Sequence, residues 1–161
     1  MEAILDKVLN HKHLGNGSII LCHNGAKYTA QALDGLIAGL QEKGYQDRVE
    51  VFLDSHSNMD QYAEENTVDC ITFNFGYLPG GDHNIFTTPA TSIPAIEKGL
   101  KLLKQGGLMS LCVYYGGDSG FEEKDALMEY FRTIDSKQYT VLITAFENRP
   151  NNTPIPVFIL K

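Results

Sequence analysis

Between Val68 and Asp82 the chain runs from eight largely apolar residues straight into a loop that no regular element can cross. The loop region reads Phe73-Asn74-Phe75-Gly76-Tyr77-Leu78-Pro79-Gly80-Gly81-Asp82. A short apolar run bounded by Gly and Pro is a buried strand followed by a turn. In an open α/β sheet the ligand crevice lies outside the carboxyl ends of the strands. A loop carrying Asn74, Tyr77 and Asp82 at that point is therefore the first place to look for chemistry.

The flanking pattern supplies the rest of such a sheet. Ile4, Leu5, Val8 and Leu9 have helical spacing, and His11 to Gly17 reads as a turn. Ser18–Cys22 reads as a buried strand, and Thr29–Lys43 as a helix striped by Ala32, Leu33, Leu36, Ile37 and Leu40, with Gly44 at its C′ position. Val49–Leu53 is expected to be a strand, Ser57–Glu64 a short helix and Val68–Phe75 a long strand. Thr91–Lys104 follows as a helix, with Thr91 or Ser92 as cap, Pro94 in its first turn and Gly106-Gly107 ending it. Leu108–Tyr115 is a strand, Gly116–Gly120 a second glycine-rich loop and Phe121–Ile134 a helix whose opening acids, Glu122 and Glu123, suit its dipole. Two strands close the chain, Tyr139–Phe146 and Ile155–Leu160, joined by the turn Asn148–Pro154. Alternating strand and helix imply a mainly parallel α/β sheet, and the closing pair implies an antiparallel edge hairpin.

With 161 residues the chain suits a single domain, and 43% hydrophobic residues is ordinary for a globular one. No apolar run approaches the roughly 20 residues that span a bilayer, and no secretory signal opens the sequence, so the expectation is cytoplasmic with no membrane partner. A net charge of −7 argues against a broad electrostatic grip on nucleic acid, although a local patch or a second subunit suffices to hold RNA. Cys22, Cys70 and Cys112 each lie in an apolar run and read as buried thiols; their odd number and the lack of a C-x-x-C spacing speak against disulfides and a zinc site.

From Asp47 to Lys161 the sequence resembles the small S-adenosylmethionine-dependent methyltransferases known as rRNA methylases, some of which methylate an aminomethyl group on a tRNA wobble uridine. The resemblance rests on Asp47-Arg48-Val49, Asp54-Ser55-His56 with Asn58-Met59, and the Asn74 to Asp82 loop. Thr87-Thr88-Pro89, Thr91-Ser92, Tyr114-Tyr115-Gly116-Gly117, Gly120-Phe121-Glu122-Glu123 and Asn148 to Asn152 add to it. It implies a Rossmann-like methyltransferase sheet and S-adenosylmethionine as cofactor, bound beside Asp54, Ser55, His56, Asn74 and Gly76. It further implies an RNA substrate, with Asn74 and Tyr77 in the catalytic position and Leu78, Pro79, Asp82 and Tyr115 on the substrate side. The alternative for Asp54 and Ser55 is a cap on the following helix, and for Gly76–Gly81 a tight surface loop. Glu122 and Glu123 read as helix-start acids rather than catalysts.

The opening of the chain departs from that family. Its Asp-Ala-Thr-x-Gly-Asn-Gly cofactor loop has no counterpart here: Gly15-Asn16-Gly17 precedes a strand and no helix follows it, and His23-Asn24-Gly25 stands where an acid would end the first strand. Residues 1–45 instead resemble the last strand and helix of a NodB-type polysaccharide deacetylase, through Gly17 to Asn24, Lys27-Tyr28-Thr29 and Gly39 to Tyr45. His23 would be the catalytic acid of that family, but a single His without the metal-binding Asp and paired His makes no such site. The chain thus reads as two joined pieces with a truncated or substituted first sheet unit. Three functions follow: an rRNA- or tRNA-modifying methyltransferase, inactive if it cannot do without the missing cofactor loop; a non-enzymatic recombined α/β scaffold; and a deacetylase remnant. A homodimer driven by apolar surface that the truncated cofactor pocket leaves exposed is a further expectation.

Overall fold

The computed structural model describes residue 35 and residues 38–45, 52, 54–76, 87–115, 120–149 and 153–161. The expected helix over residues 1–9, the strand Ser18–Cys22 and His23 lie outside the described residues, as do Tyr77, Leu78, Pro79 and Asp82. The chain divides into two compact units, Met1–Leu53 with Leu78–Ile85, and Asp54–Tyr77 with Phe86–Lys161. In the first, residues 35 and 38–40 are helical and continue into a π-helical turn, Gln41–Tyr45, where Gly44 takes the left-handed φ of +87° expected of a C′ residue.

The second unit holds a four-stranded sheet and two helices. In chain order these are β1 (Val68–Phe75), α1 (Pro89–Leu102), β2 (Leu103–Val113), α2 (Gly120–Thr133), β3 (Thr140–Ile143) and β4 (Ile155–Leu160). The spatial strand order is β1-β2-β4-β3. β1 and β2 are parallel, with Ile71 opposite Met109 and Phe75 opposite Val113. β4 runs antiparallel to both neighbours, pairing Leu111 with Val157 on one side and Val141 with Ile159 on the other. The expected C-terminal hairpin is present, but its second strand is inserted between β2 and β3, so β3 alone forms the outer edge on that side. This is an α/β fold with a mixed sheet, parallel between β1 and β2 and antiparallel elsewhere.

Period-two alternation selects the packed face. Ile71, Phe73 and Phe75 of β1 are buried together with Met109, Leu111 and Val113 of β2 and Val157 and Ile159 of β4. Ala95, Ile96 and Leu100 of α1 and Leu127 and Phe131 of α2 cover them. The alternate residues of β1, including Cys70, Thr72 and Asn74, are exposed on the opposite face. This corrects the expectation of buried thiols: Cys70 is exposed and Cys112 half-buried, because both point away from the helices, while Cys22 lies outside the described residues.

Several element boundaries differ from expectation: β2 runs Leu103–Val113 rather than Leu108–Tyr115, the helix expected over Ser57–Glu64 is a 3-10 helix over His56–Gln61, and α1 and β3 differ as follows. α1 begins two residues earlier, at Pro89, because Thr88 takes the N-cap and its N–H donates to Thr91 Oγ1 at 3.3 Å, the returning half of a capping box. Pro94 therefore sits inside the helix, not in its first turn. At the other end α1 stops at Leu102, ahead of Gly106-Gly107, and those glycines belong to the irregular start of β2, with Gly106 at φ +80°. The end of α1 is held by Lys161. Its Nζ donates to the carbonyls of Leu100 (3.1 Å), Lys101 (3.3 Å) and Leu103 (2.6 Å) and to Asn66 Oδ1 (2.8 Å). An ammonium on the last carbonyls of a helix satisfies orphan acceptors and faces the negative end of the dipole. β3 is also shorter than expected and ends at Ile143, leaving Phe146 exposed beyond it.

Lys161→Met keeps the stem and removes the charge. It should lower unfolding stability by about 2 kcal/mol, the scale of hydrogen bonds to a charged group, read as a fall in urea midpoint with an unchanged m-value.

Candidate active site

Both parallel strands, β1 and β2, end on the same rim. The ladder runs one residue past β2, where Tyr114 N–H donates to the carbonyl of Phe75, the last residue of β1, at 2.8 Å. The next residue, Gly76, takes φ +124°, a conformation that residues with a Cβ rarely adopt. A Cβ at Gly76 would also lie 2.8 Å from both Cβ and the carbonyl oxygen of Tyr114. Sterics and backbone conformation thus both demand glycine where the strand turns into the loop. Asn74, two residues earlier, is exposed on the face away from α1 and α2.

On the helix side the rim is polar and buried. Gly76 N–H donates to Thr87 Oγ1 at 2.7 Å, and Thr87 Oγ1 donates to Glu123 Oε2 at 2.8 Å. Ser92 Oγ donates to the other oxygen, Glu123 Oε1, at 2.6 Å. Glu123 and Ser92 are 3% and 0% exposed, so these bonds are what make a buried carboxylate tolerable there. His56 closes the group from the side. Its ring lies 6.2 Å from that of Phe73 and 5.9 Å from that of Phe75, and its Nε2 is buried with no hydrogen-bond partner among the described residues. Burial pushes the His56 imidazolium below its ordinary range, and the Glu123 charge acts weakly the other way.

His56 opens a 3-10 helix, His56–Gln61. Ser55 is its N-cap, accepting at Oγ from Ser57 N–H at 3.3 Å. Asp54 accepts from Tyr62 Oη at 2.7 Å on one oxygen, and from Asn58 Nδ2 at 2.9 Å and Ser55 N–H at 2.7 Å on the other. Those donors, Tyr62 foremost, hold the Asp54 carboxyl below the usual carboxylate range. Asp54 and Ser55 thus order their own segment. Lys98 of α1 ties the segment down through the Ser57 carbonyl (2.7 Å) and Asp60 (2.8 Å). On the far side of the rim the half-buried Tyr115 meets Phe121 edge-on at 5.7 Å, with Lys124 Nζ 5.3 Å from the Tyr115 ring centre.

Residues 27–160 match the family described as "Putative rRNA methylase". The chain belongs to this family. It is 31% identical over 159 residues to the chloroplastic tRNA (mnm(5)s(2)U34)-methyltransferase of Arabidopsis thaliana, an alignment covering 96% of this chain and 57% of that protein. The chain therefore spans a little over half the length of this curated relative. A crystal structure described as a putative rRNA-methylase from Clostridium thermocellum superposes with a TM-score of 0.72 at 42% identity, over 81% of this chain and 69% of that one. A putative methyltransferase from Streptococcus mutans, solved in complex with SAH, gives a TM-score of 0.68 at 32% identity, over 84% and 72% of the two chains.

The family match begins at residue 27, upstream of Asp47 where the resemblance in the sequence starts, and the alignment with the tRNA methyltransferase takes in most of the opening segment as well. Nothing in these comparisons carries the deacetylase resemblance of residues 1–45 or a chimeric origin. Among the residues expected at the site, Asn74 and Gly76 are adjacent to the rim and His56 lies beneath it against Phe73 and Phe75. Glu123 is the residue whose place the sequence reading missed. Its signal was its spacing: Gly120, Glu123, Leu127 and Phe131 form one buried stripe of α2, and a carboxylate on such a stripe must meet donors.

Two outcomes follow from the rim. Gly76→Ala should destabilise the fold by about 1–3 kcal/mol, the range for a strained backbone position, measured by urea unfolding. A histidine with a depressed folded pKa adds stability above about pH 6.5, its unfolded value, and loses it as pH falls through the folded value. The melting temperature should therefore fall from pH 7.5 to 5.5, and His56→Gln should flatten that slope.

Proposed function

We propose that this chain is an S-adenosylmethionine-dependent methyltransferase that modifies an amino group on an RNA base, of the kind the Arabidopsis relative is named for. The observation that carries the proposal is the Asn74–Gly76 turn, an exposed amide followed by a glycine with no room for a side chain, at the shared carboxyl end of two parallel strands. Family membership supports the reaction class, and the SAH-bound relative supports the cofactor.

When bound, S-adenosylmethionine supplies an electrophilic methyl group on a sulfonium. The donor set here suits such a group: a polar amide at Asn74, close backbone at Gly76, and a capped polar segment from Asp54 to His56 whose backbone and remaining carboxylate lone pairs can meet an adenine edge. Methyl transfer to an amine is an in-line displacement, so orientation of the nitrogen carries most of the rate. In our reading the Asn74 amide oxygen accepts one N–H of the amine and thereby fixes the direction of its lone pair. Tyr77 stacks on the target base, a common mode of holding an unpaired nucleotide. The family resemblance assigns Leu78, Pro79, Asp82 and Tyr115 to substrate binding. Burial holds the His56 imidazolium below its ordinary range, which disfavours a positive charge there beside a cationic cofactor.

Isothermal titration with SAH should show micromolar binding, and labelled methyl groups should pass to tRNA that carries an unmethylated aminomethyl group on its wobble uridine. Asn74→Ala should lower kcat on the order of 100-fold, the scale of one lost orienting contact. No heat at millimolar SAH, or full activity in Asn74→Ala, would overturn the assignment; the first result would leave a non-enzymatic α/β scaffold.

A further inference from the structure

We propose that Glu123 is a positioning residue, acting through Thr87 to clamp the Gly76 backbone and so to hold Asn74 in its working place. The role of the turn rests on the function proposed above; the clamp itself does not. Asn74 and Gly76 are two residues apart on one extended segment, so a shift of the Gly76 amide shifts the Asn74 side chain with it. What fixes that amide is a single file of groups: Gly76 N–H to Thr87 Oγ1 at 2.7 Å, then Thr87 Oγ1 to Glu123 Oε2 at 2.8 Å. The Thr87 hydroxyl commits its own proton to Glu123 and accepts from the Gly76 N–H with its lone pairs. That commitment orients its lone pairs toward Gly76.

Glu123 is in turn fixed. It is buried in the first turn of α2, and Ser92 of α1 donates to its other oxygen at 2.6 Å. One carboxylate therefore joins the starts of both helices to the end of β1. The Gly76 carbonyl completes a two-point grip by accepting from Thr87 N–H at 3.5 Å, a longer contact. A helix-start acid serving only the dipole would face solvent, as the exposed Glu122 beside it does. Glu123 is buried and spends both oxygens on hydroxyls, so its place in α2 serves the rim.

The test combines hydrogen exchange at the Gly76 amide with methyl transfer to tRNA in wild type, Glu123→Ala, Thr87→Val, Thr87→Ser and the Glu123→Ala/Thr87→Val double variant. Thr87→Val is a near-isosteric change at a half-buried position and serves if Glu123→Ala does not fold. Gly76 exchange should quicken about tenfold or more in Glu123→Ala and Thr87→Val, and Thr87→Ser should restore the wild-type rate. In the same variants kcat should drop about 10- to 100-fold, while SAH affinity changes less than kcat does. The double variant should be no slower than the slower single one, the non-additivity of two groups in one path. Wild-type exchange and wild-type kcat in both single variants would overturn the clamp, as would full additivity. A wild-type chain that transfers no methyl group would sink the proposed function instead, and Gly76 exchange would then decide the clamp alone.

Discussion

The parallel pairing of β1 with β2 is the constraint on which the described part of this molecule turns. Parallel neighbours cannot be joined by a tight turn, so the chain must cross over, and α1 is that crossover. The crossover places Ala95, Ile96 and Leu100 on the face made by Ile71, Phe73 and Phe75, and each side has an apolar surface only the other can bury. The same pairing brings the carboxyl ends of both strands to one rim, where Phe75 and Tyr114 are still hydrogen-bonded. The close approach of Gly76 to Tyr114 follows from that last rung.

The two ends of α1 solve opposite problems with different chemistry. At the start, Thr88, Pro89 and Thr91 satisfy or remove backbone donors locally. At the end, carbonyls are left over, and a cation from the far end of the chain, Lys161, meets three of them. A long-range contact thereby sets a boundary that local signals place two residues later. It also anchors β4 as the inner strand of the closing pair, since Lys161 follows Leu160 and exchanges backbone hydrogen bonds with Gly106 and Gly107.

Much of this was legible from pattern. The apolar run of β1 was read to the residue, the stripe of α2 to within one, and the closing hairpin was foreseen. The Asn74–Gly76 turn stands out in the residue pattern, because an abrupt change from apolar residues to Gly and Pro has few structural meanings, and the family resemblance gives it its role. The misplaced features depend on a partner distant in sequence. Gly106-Gly107 looked like a helix stop because glycine usually is one. Cys70 looked buried because an apolar run does not say which of its two faces meets the helices.

The order of elements and the strand that ends at Phe75 were determined by the sequence itself, because period, chain stiffness and turn chemistry act between near neighbours. The insertion of β4 between β2 and β3, the inward turn of Glu123 and its meeting with Thr87 and Ser92 were decided only in the folded molecule. Those features join residues tens of positions apart, and a buried carboxylate shows its purpose only once the donors around it are in place.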